Sequence, residues 1–365
     1  MSRAIRVAQI LNRMDNGGIE AVVLNYYRHI DKSLIQFDFF YDESSSIPYR
    51  EELLKLGAGL FPIPHYTHQI VYQKELEKKL QTNLYNAVHV HMNTMSVFAL
   101  AAAKRVGIPV RICHNHSTAN WKEGNRTVLK YLLRPWNRLP ATAWFACGKQ
   151  AGEWMYGTRA VAEGKVFILP NAIEKDRFVF DAEARESIRR EFGIQPNTFV
   201  LGNVGRFMMQ KNHAGLLRIF RNLSQERADA VLLLVGEGEQ ENSIRKLVCK
   251  QGMEDRVIFA GVRNDMDRIY SAIDVFCLPS YYEGFPVVVL EAQANGLPVV
   301  CSDHVSPEVC LTELVRRLPL EREKLWTEAI LTARREQVVL PEEYEIKKAA
   351  KRLEREYRQL VDGNG

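Results

Sequence analysis

The chain has 365 residues, of which 46% are hydrophobic and 25% are charged. This composition is typical of globular proteins, and at this length it favours two domains over one. The net charge of +5 permits an anionic partner but does not indicate a nucleic-acid-binding protein. No apolar run approaches the roughly 20 residues of a membrane span, and the first ten residues lack a signal-peptide core, so we expect a cytoplasmic protein.

Six cysteines are scattered along the chain without any Cys-x-x-Cys pair. Such pairs are usual in zinc sites, and regular cysteine spacings are usual in disulfide frameworks. We therefore predict reduced, mostly buried thiols at Cys113, Cys147, Cys249, Cys277, Cys301 and Cys310.

Short apolar segments alternate with amphipathic helical stretches along nearly the whole chain. This alternation predicts an α/β fold with two doubly wound, Rossmann-like domains built on parallel sheets. The strands predicted for the first sheet are residues 5–11, 36–41, 87–91, 110–114, 145–148 and 166–170. The strands predicted for the second sheet are residues 200–204, 231–235, 257–259, 275–278 and 298–301.

The two predicted domains meet near Pro170, which interrupts the pattern together with the following asparagine. We place the first domain at residues 1–170 and the second at residues 171–344. A charged helix is predicted over residues 341–360, and we expect residues 345–365 to pack back on the first domain. Its predicted apolar face consists of Ile346, Ala350, Leu353, Tyr357 and Leu360.

Two glycines, Gly17 and Gly18, follow the first predicted strand. Ligands of doubly wound sheets bind beyond the carboxyl ends of strands, where glycines let the backbone approach closely and a helix start favours negative charge. A plain tight turn is one alternative. A nicotinamide dinucleotide site is another, because Asp42 follows the second strand, but the Gly-x-Gly-x-x-Gly fingerprint is absent.

Arg206 and Lys211 lie on one loop after the first strand of the second domain. Two cations so close can neutralise a diphosphate, the arginine through forked hydrogen bonds and the lysine as a point charge. The alternative is a pair of solvated basic residues. Gly236 and Gly238 follow the next strand and could border a flat base.

His114 and His116 follow a strand of the first domain. A histidine offers one donor and one acceptor, so it can orient a sugar hydroxyl or a leaving phosphate, although a structural role is the alternative. No third residue is spaced to complete a metal site with them. Asp265 and Asp267 resemble an Asp-x-Asp metal pair, but Asp265 is better interpreted as a helix cap.

A Gly-Phe-Pro turn separates Glu283 from Glu291 and opens a helix. Pro286 suits the first helical position, and N–H groups near Gly284 and Phe285 can hold an anion. Eight residues of helix span roughly 12 Å, whereas the two carboxylates of a glycoside hydrolase lie roughly 5 to 9.5 Å apart. The spacing suits one carboxylate on a sugar and another on a ribose. A capped amphipathic helix with two solvated acids is the alternative.

Together these segments resemble the retaining family four of the GT-B glycosyltransferases over nearly the whole chain. The resemblance is strongest to the members that build bacterial exopolysaccharide and capsule. Glu283 and Glu291 match that family's Glu-x7-Glu motif. The other matching segments are residues 17–18, 90–91, 114–116, 169–173, 203–206, 210–213, 234–238 and 278–280.

The resemblance implies roles at the donor diphosphate and nucleoside. Gly17 and Gly18 would lie against the diphosphate, and Arg206 and Lys211 would neutralise it as it leaves. Glu291 would bind the ribose hydroxyls. A carboxylate needs only ordinary ionisation for that role, so we expect Glu291 to act as a binding residue and not as a proton-transfer group.

The resemblance also implies roles at the transferred sugar. Glu283 and the N–H groups around Phe285 would hold it, and His116 would contact it. His114 is the alternative to His116, because the doubled histidine makes the match ambiguous. His91 is a further candidate on the acceptor side.

A member of this family transfers a sugar from a nucleoside diphosphate sugar, here expected to be a UDP-sugar, to a glycan or lipid-linked acceptor. The resemblance implies retention of the anomeric configuration by front-face displacement, and we identify no nucleophile for a covalent route. It implies no metal and no cofactor. The alternatives are a nucleotide-sugar epimerase of the same fold and a non-catalytic sugar-nucleotide-binding protein.

Residues 126–144 alternate basic and apolar side chains. Cations beside leucine and tryptophan can attach a helix to an anionic bilayer surface, so we expect peripheral association with the inner membrane face. The alternative is an ordinary helix with core leucines and solvated cations. The residues concerned are Arg126, Leu129, Lys130, Tyr131, Leu132, Leu133, Arg134, Trp136 and Arg138.

Overall fold

Two all-parallel sheets organise the computed structural model, which describes residues 4–15, 17–118 and 125–363. The chain divides into one unit of Met1–Ala172 with Glu343–Gly365 and a second unit of Ile173–Glu342. This arrangement confirms the predicted α/β class with a doubly wound sheet in each domain.

The first domain contains seven strands in its sheet. They are β1 (Ile5–Ile10), β2 (Ile35–Asp42), β3 (Gly59–Ile63), β4 (Ala87–Val90), β5 (Val110–Asn115), β6 (Ala143–Ala146) and β7 (Val166–Ile168). Their order is β3-β2-β1-β4-β5-β6-β7. The central strands β1, β4 and β5 are rich in valine, isoleucine and alanine and largely buried, as expected for strands covered on both faces.

Helices connect these strands in the right order for parallel pairing. They are α1 (Gly18–His29), α2 (Arg50–Lys55), α3 (Gln69–Leu80), α4 (Ser96–Arg105), α5 (Asn125–Leu133), α6 (Lys149–Tyr156) and α7 (Thr158–Ala162). The carboxyl ends of the strands therefore share one edge of the sheet, where ligands of such folds bind.

The second domain contains six strands, in the order β10-β9-β8-β11-β12-β13 once numbered along the chain. They are β8 (Val200–Val204), β9 (Val231–Val235), β10 (Val257–Gly261), β11 (Val275–Leu278), β12 (Val299–Ser302) and β13 (Val315–Leu318). The helices are α8 (Ala182–Glu191), α9 (His213–Glu226), α10 (Glu241–Lys250), α11 (Met266–Ala272), α12 (Val287–Ala294) and α13 (Glu323–Thr332). Trp326 and Phe220 are fully buried in the core beneath β8 and β9.

Two strands were not predicted from the sequence, β3 and β13, and both lie at the edge of a sheet. β3 contains Pro62 and is only partly buried, and β13 carries two central arginines, Arg316 and Arg317. Edge strands tolerate proline and charge because one of their sides pairs with no neighbour. Their sequences therefore lack the continuous apolar pattern that identifies a central strand.

The final helix, α14 (Ile346–Asp362), packs against α1 of the first domain. It begins five residues later than predicted, because a turn of 3-10 helix, Glu342–Tyr344, precedes it. Four of the five residues predicted for its apolar face are buried, and Leu360 is half-buried. Tyr357 packs edge-on against Phe37 at 5.9 Å between ring centroids.

Two further expectations concern the state of the cysteines and the length of the helices. All six cysteines are free, and four of them are buried, whereas Cys249 and Cys310 are exposed. Across the described ranges, every helix falls short of the length and apolarity that a bilayer crossing demands.

Candidate active site

The loop after β8 is tied to the loop after β11 in the second domain. Asn212 adopts a left-handed conformation at φ 53°, and its side-chain oxygen accepts from the N–H of Gly215, capping α9. Its amide nitrogen donates to the carbonyl of Pro279 at 3.0 Å, and Gln210 donates to the carbonyl of Tyr282 at 2.9 Å. Two loops at the carboxyl edge of this sheet thus form one bonded unit.

Lys211 and Glu283 face each other within this unit. Lys211 Nζ lies 2.6 Å from Glu283 Oε1, and Ser280 Oγ donates to the same oxygen at 3.0 Å. Both side chains are mostly shielded, with 15% of Lys211 and 10% of Glu283 exposed. Glu283 Oε2 and the guanidinium of Arg206 have no hydrogen-bond partner among the residues that the structure describes. Glu283 Oε2 and the guanidinium of Arg206 are therefore the groups of these two loops that could bind a ligand.

Gly236 and Gly238 have a packing role that the sequence did not reveal. A Cβ on Gly236 would lie 2.3 Å from the carbonyl oxygen of Gly205, and one on Gly238 would lie 2.6 Å from that of Phe207. Phe207 N–H donates to the carbonyl of Glu237 at 2.8 Å, which holds the two loops together. Close approach of two backbones accounts for these glycines without a ligand.

Glu291 lies on α12 and accepts a hydrogen bond from the hydroxyl of Tyr270 at 2.7 Å. The side chain is half-buried, and desolvation raises the pKa of Glu291 to about 7, although the bond from Tyr270 acts in the opposite direction. The expectation of ordinary ionisation is therefore wrong. Removing a carboxylate from water disfavours its charged form, and no cation lies close enough to compensate fully.

The turn before α12 contains Gly284, Phe285 and Pro286. Phe285 is buried, and Pro286 occupies the N-cap position in an extended conformation, so the helix starts at Val287, one residue later than predicted. A helix leaves the N–H groups of its first turn without intrahelical acceptors. The first turn of α12 lies directly after the loop that carries Glu283.

Asp265 does not cap a helix with its side chain, which corrects the prediction. It stands at the N-cap position of α11, but its carboxylate binds the guanidinium of Arg263 at 2.8 Å. Asp267 pairs with Arg177 at 3.1 Å. The stronger, charge-assisted bonds to arginine thus replace the capping bond.

Gly17 and Gly18 open α1 in the first domain, with Gly17 at the N-cap position. A Cβ on Gly17 would lie 2.2 Å from Glu20 Oε2, whereas one on Gly18 would meet nothing within 4 Å. The carboxylate of Glu20 therefore lies over the first turn of the helix, where negative charge is favoured. No motif in the sequence marks Glu20 as a site residue.

Four histidines lie together in the first domain. Nδ1 of His91 is 2.9 Å from Nε2 of His116, and Nε2 of His89 is 3.0 Å from Nδ1 of His114. Of the predicted site residues here, His116 keeps 8% of its surface exposed, against 4% for His91 and 1% for His114. Burial lowers the pKa of His116 to about 3 and holds those of the other three well below 6.5.

Three of these histidines are close enough to be considered as metal ligands. Ligand atoms of His89, His91 and His114 lie within 4.8 Å of one another. Several of their ring nitrogens are already engaged in hydrogen bonds with each other, and the rings of His89 and His91 are stacked at 4.3 Å. The sequence showed no third residue spaced for a metal with His114, whereas the fold brings His89 and His91 beside it.

Several contacts of the candidate residues come from side chains that the sequence analysis did not assign. Ser280 lies in the matching segment 278–280, and His89 lies two residues before His91 on the same strand face. The sequence could therefore have identified both residues as candidates. Tyr270, Gln9 and Tyr357 carried no such signal, because each reaches its own partner from a distant segment of its domain.

Comparisons with known proteins agree with this architecture. The family model described as Glycosyltransferase Family 4 matches residues 16–177, and the model described as Glycosyl transferases group 1 matches residues 184–352. EpsF of Bacillus subtilis (strain 168), which is named as a glycosyltransferase, is 35% identical over 90% of this chain and 87% of its own. An Escherichia coli UDP-Gal:alpha-D-GlcNAc-diphosphoundecaprenol alpha-1,3-galactosyltransferase is 24% identical over 85% of this chain and 82% of its own.

Solved structures show the same fold at lower identity. HepE of Anabaena in complex with UDP-glucose superposes with a TM-score of 0.75 at 17% identity, covering 98% of each chain. Sucrose-phosphate synthase of Thermosynechococcus elongatus gives 0.72 at 17% identity, covering 98% of this chain and 100% of the other. The two parallel-sheet domains are thus those of the GT-B fold, and with the match to EpsF the chain belongs to the family 4 glycosyltransferases.

Proposed function

We propose that this protein transfers a sugar, with retention of anomeric configuration, from a UDP-sugar to a lipid-linked saccharide in exopolysaccharide or capsule synthesis. The observation that carries the proposal is the hydrogen-bonded group of Lys211, Glu283 and Ser280, together with Arg206, which lies on the same loop as Lys211 and has no side-chain partner among the described residues. The Escherichia coli relative supports the donor and acceptor classes, because its name specifies UDP-Gal and a diphosphoundecaprenol-linked sugar.

Departure of a nucleoside diphosphate builds negative charge on phosphate oxygens. Arg206 and Lys211 would stabilise that charge, and preorganised cations of this kind lower a barrier because they need no reorganisation during the reaction. Their two positive charges supply what a divalent cation supplies in other transferases, so we propose no metal and no cofactor.

Glu283 would orient the transferred sugar. Lys211 and Ser280 both bind Oε1, which fixes the carboxylate and leaves Oε2 to accept a sugar hydroxyl. The donor N–H groups before α12, around Gly284 and Phe285, would hold further sugar oxygens. His116 is the histidine that we assign to the sugar, because it is the most accessible of the candidates in the first domain.

Glu291 would bind the two ribose hydroxyls of the nucleoside. Gly17 and Gly18 would lie against the diphosphate, because a Cβ at Gly18 would find open space. For Gly236 and Gly238, loop packing is a sufficient explanation, and we propose no direct contact with the base for them.

Transfer of radiolabelled sugar to a bacterial lipid extract tests the proposal. The purified chain is incubated with UDP-glucose, UDP-galactose or their N-acetyl derivatives, and the product anomer is determined by NMR. Labelled lipid with the donor's anomeric configuration is expected. An isomerised nucleotide sugar would identify an epimerase, and donor binding without either product would identify a non-catalytic protein.

We also propose that the first domain docks on an anionic membrane surface through α5 and the following turn, Pro135–Arg138. Leu132 is 63% exposed and Trp136 is 59% exposed, so these side chains are not core, as the alternative required. Arg134 lies over the ring of Trp154 and Arg138 over that of Trp144, which places cations beside apolar groups. The side chain of Arg126 lies outside the described part of the chain.

Co-sedimentation with vesicles containing phosphatidylglycerol tests this docking. Binding at low salt that weakens at high salt is expected, because screening shortens the range of surface electrostatics. Leu132→Glu combined with Trp136→Glu should abolish binding. Ile70→Glu, at another exposed apolar residue of the first domain, is the matched control and should bind normally. Wild-type protein that stays in the supernatant at low salt would contradict the proposal and favour a soluble acceptor.

A further inference from the structure

A buried hydrogen-bond network in the first domain joins the candidate histidines to Gln9 and Tyr357. Gln9 pairs with His89 across β1 and β4, and His91 lies two residues further on the same face. Ile112 of β5 pairs with His89, and His114 and His116 follow Ile112 at two-residue spacing. Because alternate residues of a strand share one face, both histidines lie on the same face as His89. Tyr357 reaches this face from α14.

The distances around the Tyr357 hydroxyl assign the direction of its hydrogen bonds. It lies 2.6 Å from Nδ1 of His89 and 3.1 Å from Nε2 of Gln9. Hydroxyl donors make bonds of about 2.5–3.0 Å, and N–H donors make longer ones of about 2.7–3.2 Å. Tyr357 therefore donates to His89 and accepts from the amide of Gln9. In the reverse assignment, the Tyr357 hydroxyl would donate over 3.1 Å to Gln9 and the ring N–H of His89 would donate over 2.6 Å to Tyr357. Each distance would then fall outside the usual range for its donor.

The amide orientation of Gln9 fixes the next two residues in turn. Its Oε1 lies 2.8 Å from Nε2 of His91, so that nitrogen carries the proton. A neutral imidazole has a single N–H, so Nδ1 of His91 is an acceptor and receives the N–H from Nε2 of His116 at 2.9 Å. Burial keeps the imidazoles neutral, because it lowers the pKa of His91 well below 6.5 and that of His116 to about 3.

We infer that Gln9 is a positioning residue that fixes His116 as its Nε2–H tautomer and leaves Nδ1 as a hydrogen-bond acceptor. Within the described residues, Nδ1 of His116 has no partner. An acceptor at this position receives a hydrogen bond from a hydroxyl and cannot donate one to a phosphate oxygen. This inference rests on the proposed function. Of the two partners considered for His116, it selects a sugar hydroxyl, which can donate to Nδ1, and rules out the leaving phosphate, which needs a donor.

The same reasoning assigns the tautomers of His89 and His114, which form the second chain of hydrogen bonds from Tyr357. Because Tyr357 donates to Nδ1 of His89, Nε2 of His89 carries the proton and donates to Nδ1 of His114 at 3.0 Å. His114 then holds its proton on Nε2, which is buried and lacks a partner among the described residues. Three lone pairs that a metal would need are thus engaged in hydrogen bonds.

Long-range proton–nitrogen NMR of the full chain labelled with 15N-histidine tests the inference directly. An unprotonated ring nitrogen resonates far downfield of a protonated one, so the tautomer of each imidazole is read without substrate. We expect unprotonated Nδ1 and protonated Nε2 for His116, assigned by loss of its signals in His116→Gln. A protonated Nδ1 in the wild-type protein would overturn the inference.

Two variants test whether Gln9 controls that state. Gln9→Met removes the amide at nearly constant volume, and Tyr357→Phe removes the hydroxyl that orients it. Both should convert the His116 signals to those of mixed tautomers. Phe37→Leu is the matched control, because Phe37 packs on Tyr357 without any polar atom, and it should leave the His116 signals unchanged. If Gln9→Met fails to fold, the wild-type spectrum still decides the tautomer.

Kinetics and metal analysis complete the test. Gln9→Met should lower kcat/KM for sugar transfer about tenfold, the value of one hydrogen bond. A fixed tautomer in a protein that transfers no sugar would refute the proposed function and leave the tautomer assignment intact. Stoichiometric zinc retained by the wild-type protein after gel filtration would overturn the inference, because the metal would have taken the lone pairs assigned to hydrogen bonds.

Discussion

Replacing Glu291 by glutamine should stabilise the second domain at high pH while weakening donor binding. The glutamine oxygen still accepts the hydrogen bond from Tyr270, so packing and geometry are conserved. Only the cost of ionising a desolvated carboxyl is removed, because glutamine is neutral at every pH.

The magnitude follows from the pKa of Glu291, which is raised from 4.5 to about 7. Between these values the native state binds more protons than the unfolded state, so stability falls as pH rises through this window. Above pH 7 the full penalty is present and amounts to about 3 kcal/mol. Below pH 4.5 both states are protonated, and the penalty disappears.

Urea unfolding of wild-type and Glu291→Gln protein at pH 5 and pH 8 measures this difference. All other titrating groups are common to both proteins and cancel. The stability gain from the substitution should be at least about 2 kcal/mol larger at pH 8 than at pH 5. Equal gains at the two pH values would refute the assignment of a desolvated carboxyl. Val339→Ala, at an exposed position of the same domain that carries no titrating group, is the control and should show no such difference.

Donor binding should titrate with the same group. A ribose hydroxyl donates a stronger hydrogen bond to the carboxylate than to the protonated acid, so the Kd for UDP should rise as the pH falls below 7, by at most about tenfold per pH unit. Isothermal titration calorimetry from pH 5.5 to 8.5 measures the effect. In Glu291→Gln this pH dependence should vanish and the Kd should be raised throughout. A wild-type Kd that is constant over the range would contradict the role of Glu291 at the ribose.

Three further predictions address the second domain. Lys211→Ala should lower the rate of sugar transfer by about two orders of magnitude or more, whereas Lys246→Ala on the exposed face of α10 should not change it. Transfer should persist in excess EDTA if, as we propose, Arg206 and Lys211 supply the positive charge, and recovery of lost activity by added magnesium would contradict this proposal. Trp326→Ala should destabilise the domain by about 3–5 kcal/mol in urea unfolding, since the side chain is fully buried, whereas Val339→Ala at an exposed position should be neutral.

Local patterns predicted most of the fold, and the failures share one physical cause. Central strands can be recognised in the sequence because burial on both faces requires a continuous apolar run. β3 and β13 lie at the edges of their sheets and lack such a run. The loop residues Arg206, Lys211 and Glu283 could be predicted as site candidates because short segments after strands carry them. The ion pair between Lys211 and Glu283 was not foreseen, because it joins positions 72 residues apart.

The pKa of Glu291 illustrates the same limit at the level of one group. Its sequence neighbours reveal a helix but not the solvent access of the carboxyl, which depends on α11 and Tyr270. Likewise the spacing of His89, His91, His114 and His116 predicts a shared sheet face, but the link from Gln9 to Tyr357 spans 348 residues. No local pattern can report a contact of that range.

The packing of α14 on the first domain also affects the order in which the protein forms during synthesis. Residues 173–342 are contiguous and can complete their sheet as soon as they leave the ribosome. The first domain emerges earlier but lacks Ile346, Leu353 and Tyr357, all buried in its finished core, until the last segment is translated. The first domain therefore finishes folding after the second, and the apolar face that α14 covers stays exposed while about 170 intervening residues are translated.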